Sequence, residues 1–364
     1  MKRNTHSQKR FYHPPYQQKP QGFSVIEFLV ASMLSMIVLV AVGSAYFSAR
    51  KVNDVAGGRL NIQQDIRNAA NMIVRDSRMA GSFGCFNLSN GSAALTQASG
   101  ANHPALGLRV RTASGSSTFY EEGVKSVAQA NFSTTGIANF TANSAAVIFQ
   151  YGVGSPTVTN LTPTSVAINT TNDTDTRELG GGSPIIVSSC NVLDQVYTVS
   201  GSTSTASGTT TFNGLTLSSS QKSTEVTVMR YQVNLYVVGT PNGGQQGLYR
   251  FQLQPNGRWT DPQLLIGGIR TMNVLYGYVN GCPTIDSTVT AAASAAVETF
   301  SFFNTLQATD RNRPLAMIRL ALNDNAIDAR EKVNASASAG NVDIYNINAN
   351  IRGGNQCADR SVVQ

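Results

Sequence analysis

The chain has 364 residues, enough to bury a substantial hydrophobic core, and only 13% of them are charged. Its 32 glycines, with many Ser, Thr and Asn residues, favour a strand- and loop-rich extracytoplasmic protein over a cytosolic helical enzyme. The formal net charge of +7 does not indicate a nucleic-acid partner. Five basic residues and no acidic residue lie in the first 22 positions, and seven minus five leaves only +2 downstream.

Residues 1–22 form a polar, basic leader. Its basic side chains are Lys2, Arg3, Lys9, Arg10 and Lys19. Lys and Arg before an apolar run are retained on the cytoplasmic side of a membrane. The pattern therefore predicts a cytoplasmic leader peptide and explains most of the basic isoelectric point.

Histidine is scarce beyond this leader. His6 and His13 lie within it, so His103 is the one histidine downstream. A histidine-based triad, a His-rich zinc site and imidazole acid–base catalysis therefore lack their usual side chains. We predict that the chain is not an enzyme and has no catalytic residue, metal or cofactor.

Residues 23–47 are nearly all apolar or small, and residues 28–49 carry no charge. As a helix, 25 residues span about 37 Å, more than the bilayer core of about 30 Å. We predict that residues 23–49 form a transmembrane or filament-core half of a long helix. A secretory signal peptide cleaved near Gly43 and a plain signal anchor are the alternatives.

Glu27 is a lone carboxylate just inside the start of this apolar run. A charged side chain at a bilayer centre costs about 2.5–3.5 kcal/mol on insertion scales, and less near the helix ends. An ionisable residue in such a segment indicates function by default. The alternative is an interfacial side chain that reaches the lipid headgroups.

A second, amphipathic helical pattern occupies residues 50–80. Ile62, Ile66, Ala69 and Ile73 recur at helical spacing and define one apolar face. Gly81 is expected to end the helix, because glycine accepts the left-handed conformation common after a last turn. Glycines at 57 and 58 are expected to loosen the helix between its two halves.

Residues 81–364 read as a β-rich globular head. Apolar runs and alternating patterns predict strands at 145–151, 184–189, 225–238, 248–254, 269–279 and 315–323. A Pro-Asn-Gly-Gly segment predicts a hairpin joining the third and fourth of these. Ser/Thr-rich residues 200–211 and 287–294 are expected to be surface loops. The predicted fold class is α+β.

Four widely spaced cysteines remain, Cys85, Cys190, Cys282 and Cys357. None forms a C-x-x-C motif, which argues against a zinc ribbon or a thioredoxin-like site. An even number behind an export-type segment predicts two disulfides formed in an oxidising compartment. Three pairings are possible; Cys85–Cys190 with Cys282–Cys357 is preferred, and buried free thiols are the alternative.

The junction Gly22-Phe23-Ser24-Val25-Ile26-Glu27 resembles the processing site of type IV prepilins. The resemblance implies that a prepilin peptidase cuts after Gly22 and that the new amino group of Phe23 is methylated. It also implies that Glu27 neutralises the N-terminal amine of a neighbouring subunit. The leader is longer than is typical of this class, and Ser24 replaces the commoner Thr.

Three later segments narrow the resemblance to PilW-type minor pilins. Residues 71–85 resemble the segment after that family's long helix, and residues 268–277 are similar to its G-[IV]-x-x-M-x-V-x-Y-G strand. Residues 314–323 occupy the place of its late strand. The acidic stretch that follows the Tyr-Gly pair in the family is missing here, and residues 91–222 match nothing. The implied fold is that of a type IV pilin, a long N-terminal helix packed on an antiparallel, sheet-rich head.

The implied function is that of a minor pilin in a tip complex, which helps to initiate pilus assembly and supports twitching motility, adhesion or DNA uptake. Its implied partners are the prepilin peptidase, other minor pilins, the major pilin and a PilY-type tip adhesin, with no specific nucleic acid. The precursor would lie in the bacterial inner membrane with its N-terminus in the cytoplasm, and the mature chain at the extracellular pilus tip. The alternatives are a minor pseudopilin of a type II secretion system and a membrane-tethered extracytoplasmic binding module.

Overall fold

The computed structural model describes residues 22, 24–84, 86–87, 94–95, 109–112, 119–154, 156–169, 171, 184–189, 192–193, 197–198, 204–206, 208–215, 217, 226–254, 258–281, 299–307, 315–324 and 345–351. The chain divides into two compact units, Met1–Asn61 and Ile62–Gln364. Helix α1, Val25–Met79, contributes residues to both units.

The α1 residues of the first unit are strongly exposed. Their large apolar side chains have between about half and four-fifths of their surface accessible, from 54% at Leu29 to 79% at Val25. By length and composition α1 is able to cross a membrane, as a membrane anchor or a signal sequence would. The helix continues through Gly57 and Gly58.

The α1 residues of the second unit have one buried face, as the spacing predicts. Ala69 and Ile73 are buried and Ile66 packs against the same core, while Ile62 is half-buried. The helix ends at Met79, and Gly81 follows in the left-handed conformation with φ of 80°. The predicted stop at Gly81 is therefore confirmed.

Twenty-two strands follow α1 within the described residues. In chain order they are β1 (Ser82–Phe83), β2 (Phe86–Asn87), β3 (Ala94–Leu95), β4 (Arg109–Thr112), β5 (Phe119–Glu122), β6 (Val124–Val127), β7 (Phe140–Ala142), β8 (Ala146–Val153), β9 (Thr157–Thr162), β10 (Ser165–Asn169), β11 (Pro184–Ser188), β12 (Val192–Leu193), β13 (Tyr197–Thr198), β14 (Ser204–Ala206), β15 (Thr209–Asn213), β16 (Thr227–Pro241), β17 (Gly247–Gln252), β18 (Gln263–Gly267), β19 (Ile269–Gly281), β20 (Thr299–Phe303), β21 (Leu315–Asp324) and β22 (Tyr345–Asn350). A 3-10 helix, Gln129–Thr135, lies between β6 and β7.

The largest sheet has ten strands and is organised around β16. This strand pairs antiparallel with β17 and β11, and also with β8 and β7. β18 pairs with β17, β6 with β8, and β12 and β13 with β11. The one parallel pairing described is that of β12 with β3.

A second sheet has the order β20-β19-β21-β22 and is wholly antiparallel. A third has the order β14-β15-β10-β9, and β1-β2 and β4-β5 form two small antiparallel pairs. One long helix with several antiparallel sheets defines an α+β protein.

Three hydrophobic cores stabilise the second unit. The first lies between α1, one face of the ten-stranded sheet and one face of the β20-β19-β21-β22 sheet. The second covers the opposite face of the ten-stranded sheet, where Phe132 of the 3-10 helix, Phe140 and Trp259 pack on it. The third joins β10 and β15 to β11 and the start of β16.

The six predicted strands are confirmed, as β8, β11, β16, β17, β19 and β21. The predicted hairpin is confirmed by the antiparallel pairing of β16 with β17. The expected loop at 200–211 is wrong, because β14 and most of β15 lie there. Phe212 of β15 is fully buried in the third core, and that burial draws its Thr-rich strand into a sheet. Residues 287–294 lie outside the described residues.

Candidate functional site

The start of α1 is held by a short contact within the chain. The carboxylate of Glu27 accepts a hydrogen bond from the backbone N–H of Ser24, with 3.2 Å between Oε2 and N. The carbonyl of Ser24 accepts the first helical bond, from the N–H of Phe28 at 3.2 Å. Ser24 and Glu27 thus have the spacing and part of the bonding of a capping box.

This contact gives Glu27 a local role. The first N–H groups of a helix lack partners inside the helix, and a carboxylate in the first turn also meets the positive end of the helix dipole. The signal was present in the sequence as Ser-x-x-Glu before an apolar run, and sequence reasoning missed it. Neutralisation of another subunit's amine by Glu27 stays a prediction.

The other predicted junction residues are placed as follows. Gly22 is exposed, and a Cβ atom added there would meet nothing within 4 Å. Phe23 lies outside the described residues, as do Cys85, Cys190, Cys282 and Cys357. The cleavage site, the methylation and the disulfides therefore stay predictions.

A second carboxylate, Asp76, lies near the end of α1 and is completely buried. Its Oδ1 accepts a hydrogen bond from the hydroxyl of Tyr151 at 3.0 Å. Its Oδ2 accepts bonds from the Tyr236 hydroxyl at 2.6 Å and from Asn234 Nδ2 at 2.7 Å. A buried carboxylate needs such donors, because an uncompensated charge in a low-dielectric interior is costly.

A second layer of polar side chains supports these donors. Arg250 lies with Nη2 at 3.9 Å from Oδ2 of Asp76 and donates to Oδ1 of Asn234 at 3.0 Å. Gln232 also donates to Oδ1 of Asn234, at 3.0 Å. Asn234 thus accepts from two side chains and donates to Asp76, which orients its amide. We call Asp76, Tyr151, Gln232, Asn234, Tyr236 and Arg250 the Asp76 network.

The strand register explains why these side chains meet. On β16 they alternate with Tyr231, Val233, Leu235 and Val237, which face the second core. Gln232, Asn234 and Tyr236 therefore lie on the face toward α1, since successive residues of a strand point to opposite faces. Asn234 lies opposite Phe149 on β8 and Gln252 on β17.

The two tyrosines of the network remain protonated donors. Burial raises the pKa of Tyr236, and the nearby negative charge of Asp76 raises it further. The same two causes, in the same order, raise the pKa of Tyr151. Both hydroxyls therefore keep their protons at alkaline pH values where an exposed tyrosine ionises.

The network is structural in its geometry. Each of its six residues is no more than 8% exposed, so the network lies in the interior of the protein. The donors of the Asp76 network lie on β8, β16 and β17 and surround one residue of α1, Asp76. This arrangement fixes the depth and rotation of the last turns of α1 on the ten-stranded sheet.

A close backbone contact reinforces this placement. A Cβ atom at Gly123 would overlap the backbone of Ala80 and Gly81. Gly81 donates its N–H to the carbonyl of Gln150 at 2.9 Å, and Gln150 donates its own N–H to the carbonyl of Gly123 at 2.8 Å. The chain just after α1 is thus attached to the sheet by main-chain bonds.

Sequence reasoning missed the Asp76 network. The available signal was position, since Asp76 follows Ile73 by three residues and precedes Ala80 by four, on the apolar face. The basic neighbours Arg75 and Arg78 are exposed and suggested a polar face instead. In the described part of the chain, no group of three or more His, Cys, Asp or Glu residues could hold a metal ion.

Comparisons of the chain with models of known protein families, with curated proteins and with solved structures find no match.

Proposed function

We propose that the chain is the precursor of a type IV minor pilin with a pilin-type fold, processed between Gly22 and Phe23. In this proposal the apolar part of α1 enters the filament, and the β-rich second unit contacts other subunits. One observation carries the proposal: α1 is exposed and apolar in the first unit but buried on one face in the second.

An exposed apolar stretch of this length supports a role in a membrane and an assembly. Large apolar patches on a protein mark contact with lipid or with another protein, because their exposure to water is unfavourable. Lipid covers the stretch in the proposed precursor, and helices of neighbouring subunits cover it in the proposed filament. The same helix therefore has two environments in succession.

The exposed junction supports processing at this place. A residue without a Cβ atom lets another backbone approach closely, and no atom of the described residues lies within 4 Å of a Cβ atom added at Gly22. Cleavage after Gly22 would create an amine with an unperturbed pKa of about 8, hence positive near neutral pH. In the precursor Glu27 caps its own helix. In the filament we propose that it pairs with the amine of a neighbouring subunit.

The N-terminus of the mature chain tests the proposal. Peptide mapping of the chain from sheared pili should find N-methylated Phe23 as the first residue. Gly22→Ile should block cleavage, because its side chain obstructs the close approach, whereas Gln21→Ala should be processed normally. A mature chain that begins at Met1 or beyond Gly43 would contradict the proposal.

Two substitutions at Glu27 separate capping from charge pairing. Glutamine carries no charge but can still accept the bond from Ser24. Alanine carries no charge and cannot accept that bond. We expect both Glu27→Ala and Glu27→Gln to be cleaved and both to be depleted from sheared pili. Normal incorporation of the glutamine variant would show that capping alone matters and would overturn the pairing.

The priming role has its own test. Deletion of the gene should reduce the number of pili and twitching motility, and unchanged values would refute the role. The same junction also fits a minor pseudopilin of a type II secretion system. Stable association with minor pilins and a tip adhesin would favour the pilus, and association with secretion components the alternative. A chain retained in the membrane uncleaved would indicate a tethered binding module.

A further inference from the structure

The outward face of the β20-β19-β21-β22 sheet has an unusual composition. Inward side chains such as Met272, Val274, Ile318 and Leu320 belong to the first core. Because strand residues alternate between faces, the residues between them point away from α1. We call nine residues of this outward set the Arg319 face: Asn273, Leu275, Phe300, Phe302, Met317, Arg319, Asn346, Asn348 and Asn350.

Arg319 lies near the middle of this face in a defined orientation. Its guanidinium carbon is 5.2 Å from the centre of the Phe302 ring. Its Nε donates to Oδ1 of Asn348 at 2.9 Å, on the directly paired strand β22. Two contacts therefore hold the planar group, whose position in solution would otherwise be averaged over many rotamers.

The oriented guanidinium of Arg319 has N–H groups that can bind an anion. Within the described residues, the bonded contacts of Arg319 use the Nε edge and the π face, which leaves the Nη1 and Nη2 groups for an acceptor. Parallel N–H groups of arginine match the two oxygens of a carboxylate. Arginine held in this way loses little further freedom when it binds.

Apolar side chains lie on the same face of the sheet as Arg319. Phe300 and Phe302 are 36% and 39% exposed, large fractions for aromatic residues in a sheet. Met317 and Leu275 are half-buried beside them. A Cβ atom at Gly277 would meet the side chains of Met317 and Phe302, so glycine there lets these two side chains lie flat over the strand.

Uncharged amides form the other side of the face. Asn346, Asn348 and Asn350 follow one another at alternate positions on β22 and are exposed, as is Asn273 on β19. Aromatic residues, Met and Arg are enriched at the centres of protein–protein interfaces, whereas Lys, Glu and Asp are depleted there and polar residues form the rim. The Arg319 face has this composition, with one charge among its nine members.

We propose that the Arg319 face binds another protein subunit, which presents an Asp or Glu carboxylate flanked by apolar side chains. The carboxylate accepts from both Nη groups of Arg319, and the flanking side chains cover Phe300 and Phe302. Burial of this contact strengthens the ion pair, because low dielectric raises its energy and the Asn amides supply further hydrogen bonds. The proposal rests on the proposed function only in taking the partner to be another pilus subunit.

Site-specific crosslinking in cells tests the proposal. A photoreactive phenylalanine analogue is placed at Phe300, and at Leu264 in the control, which is exposed to 40% on the different sheet of β18. The Phe300 probe should crosslink a pilus-subunit peptide that contains Asp or Glu, and the Leu264 probe should not. Arg319→Glu should lower the yield at least about tenfold, since removal of a central arginine commonly costs this much binding. Arg319→Lys keeps the charge without the planar fork and should give an intermediate yield.

A charge exchange makes the test specific. Replacing the acidic residue of the crosslinked peptide by Arg should restore the crosslink of the Arg319→Glu chain. Unchanged crosslinking in Arg319→Glu, or a crosslinked peptide without an acidic residue, would overturn the proposal. Each variant is first shown to have the wild-type unfolding midpoint, so that loss of binding is separated from loss of folding.

A carboxylated polysaccharide carries the same chemical group as the proposed partner and is tested separately. Polygalacturonate oligosaccharides are titrated against the full chain in detergent, with Arg319→Glu as the control. Binding that depends on Arg319 would indicate a glycan site and overturn the protein partner. Failure of the proposed function is detected independently, by the sequence of the mature N-terminus. A chain cleaved at Phe23 that shows no Arg319-dependent crosslink would refute this inference alone.

Discussion

The two parts of α1 have the same secondary structure and opposite environments. Up to residue 60 its described large apolar side chains are exposed, whereas Ala69 and Ile73 in the second part are at most 1% exposed. Isolated helices are marginal in water, and tertiary packing supplies most helical stability in folded proteins. By length and composition the first part is suited to a membrane anchor or a signal sequence, whereas the second part is stabilised by its own sheet.

The two carboxylates Glu27 and Asp76 of α1 differ in exposure in the same way. Glu27 is exposed and, among the described residues, accepts one bond, from its own first turn. Asp76 is fully buried and accepts three side-chain bonds from two strands. A partner outside the chain is thus still open to Glu27, whereas Asp76 is committed to the fold.

The largest effect is expected from Asp76→Ala. It leaves Arg250 and three buried donors without their acceptor, and breaking such a buried arrangement costs about 3–5 kcal/mol. The free energy of unfolding of the full chain in detergent can be followed through Trp259, the chain's single tryptophan, which packs on the second core. Asp65→Ala, at an exposed position of the same helix, is the control and should change it by less than about 0.5 kcal/mol. Equal effects of both would show that the Asp76 network stabilises nothing.

A smaller loss is expected from Gly123→Ala. The new methyl group would overlap backbone atoms at Ala80 and Gly81, which cannot move without displacing the end of α1. Overpacking of this kind costs about 3 kcal/mol at the upper end of its usual range. The same denaturation measurement applies, with Gly136→Ala as a control for backbone strain without overlap, since Gly136 has φ of 76° and open space around it.

Tyr236→Phe should cost somewhat less, about 2 kcal/mol, because it removes one hydrogen bond to a charged group. Tyr249→Phe is the matched control, since the Tyr249 hydroxyl donates to the neutral carbonyl of Gln245 and its loss should cost about 1 kcal/mol. If the two variants lose equal stability, the charge of Asp76 adds nothing to the bond.

The raised pKa of Tyr236 also predicts alkaline unfolding. The unfolded tyrosine ionises near pH 10, whereas the folded one keeps its proton to higher pH. Its contribution to stability is therefore complete below about pH 10 and is lost as the pH rises toward the folded-state pKa. Ultraviolet absorbance of tyrosinate should rise together with unfolding, and Tyr236→Phe should weaken the pH dependence.

The smallest effect, with the opposite sign, is expected from Gly57→Ala in the exposed part of α1. Nothing lies within 4 Å of an added Cβ atom, and alanine favours a helix by up to about 1 kcal/mol over glycine. Helical content in detergent, measured by circular dichroism, should stay equal or rise. A loss of helix would mean that Gly57 has a contact outside the chain. Both Gly57→Ala and Gly123→Ala would then be destabilising, and the two parts of α1 would no longer differ in this respect.

Local patterns in the sequence determined much of this protein. Spacing of apolar residues predicted the buried face at Ile66, Ala69 and Ile73, and apolar runs and alternation predicted the strands β16 and β21. These signals depend on the geometry of one helix or one strand, which neighbouring residues set. The capping pair Ser24 and Glu27 also has a local sequence pattern, Ser-x-x-Glu, although it was not predicted.

The tertiary structure decided what the polar residues do. Asp76 meets Tyr151, Asn234 and Tyr236 across separations of 75, 158 and 160 residues, which no local pattern encodes. The Arg319 face combines four consecutive strands, and only their pairing brings its residues together. Strand β15 belongs to a sheet whose core includes the buried Phe212. From the sequence alone, a polar side chain is expected to be exposed to solvent. Its buried partners become known only when strands far apart in the sequence are seen to pair.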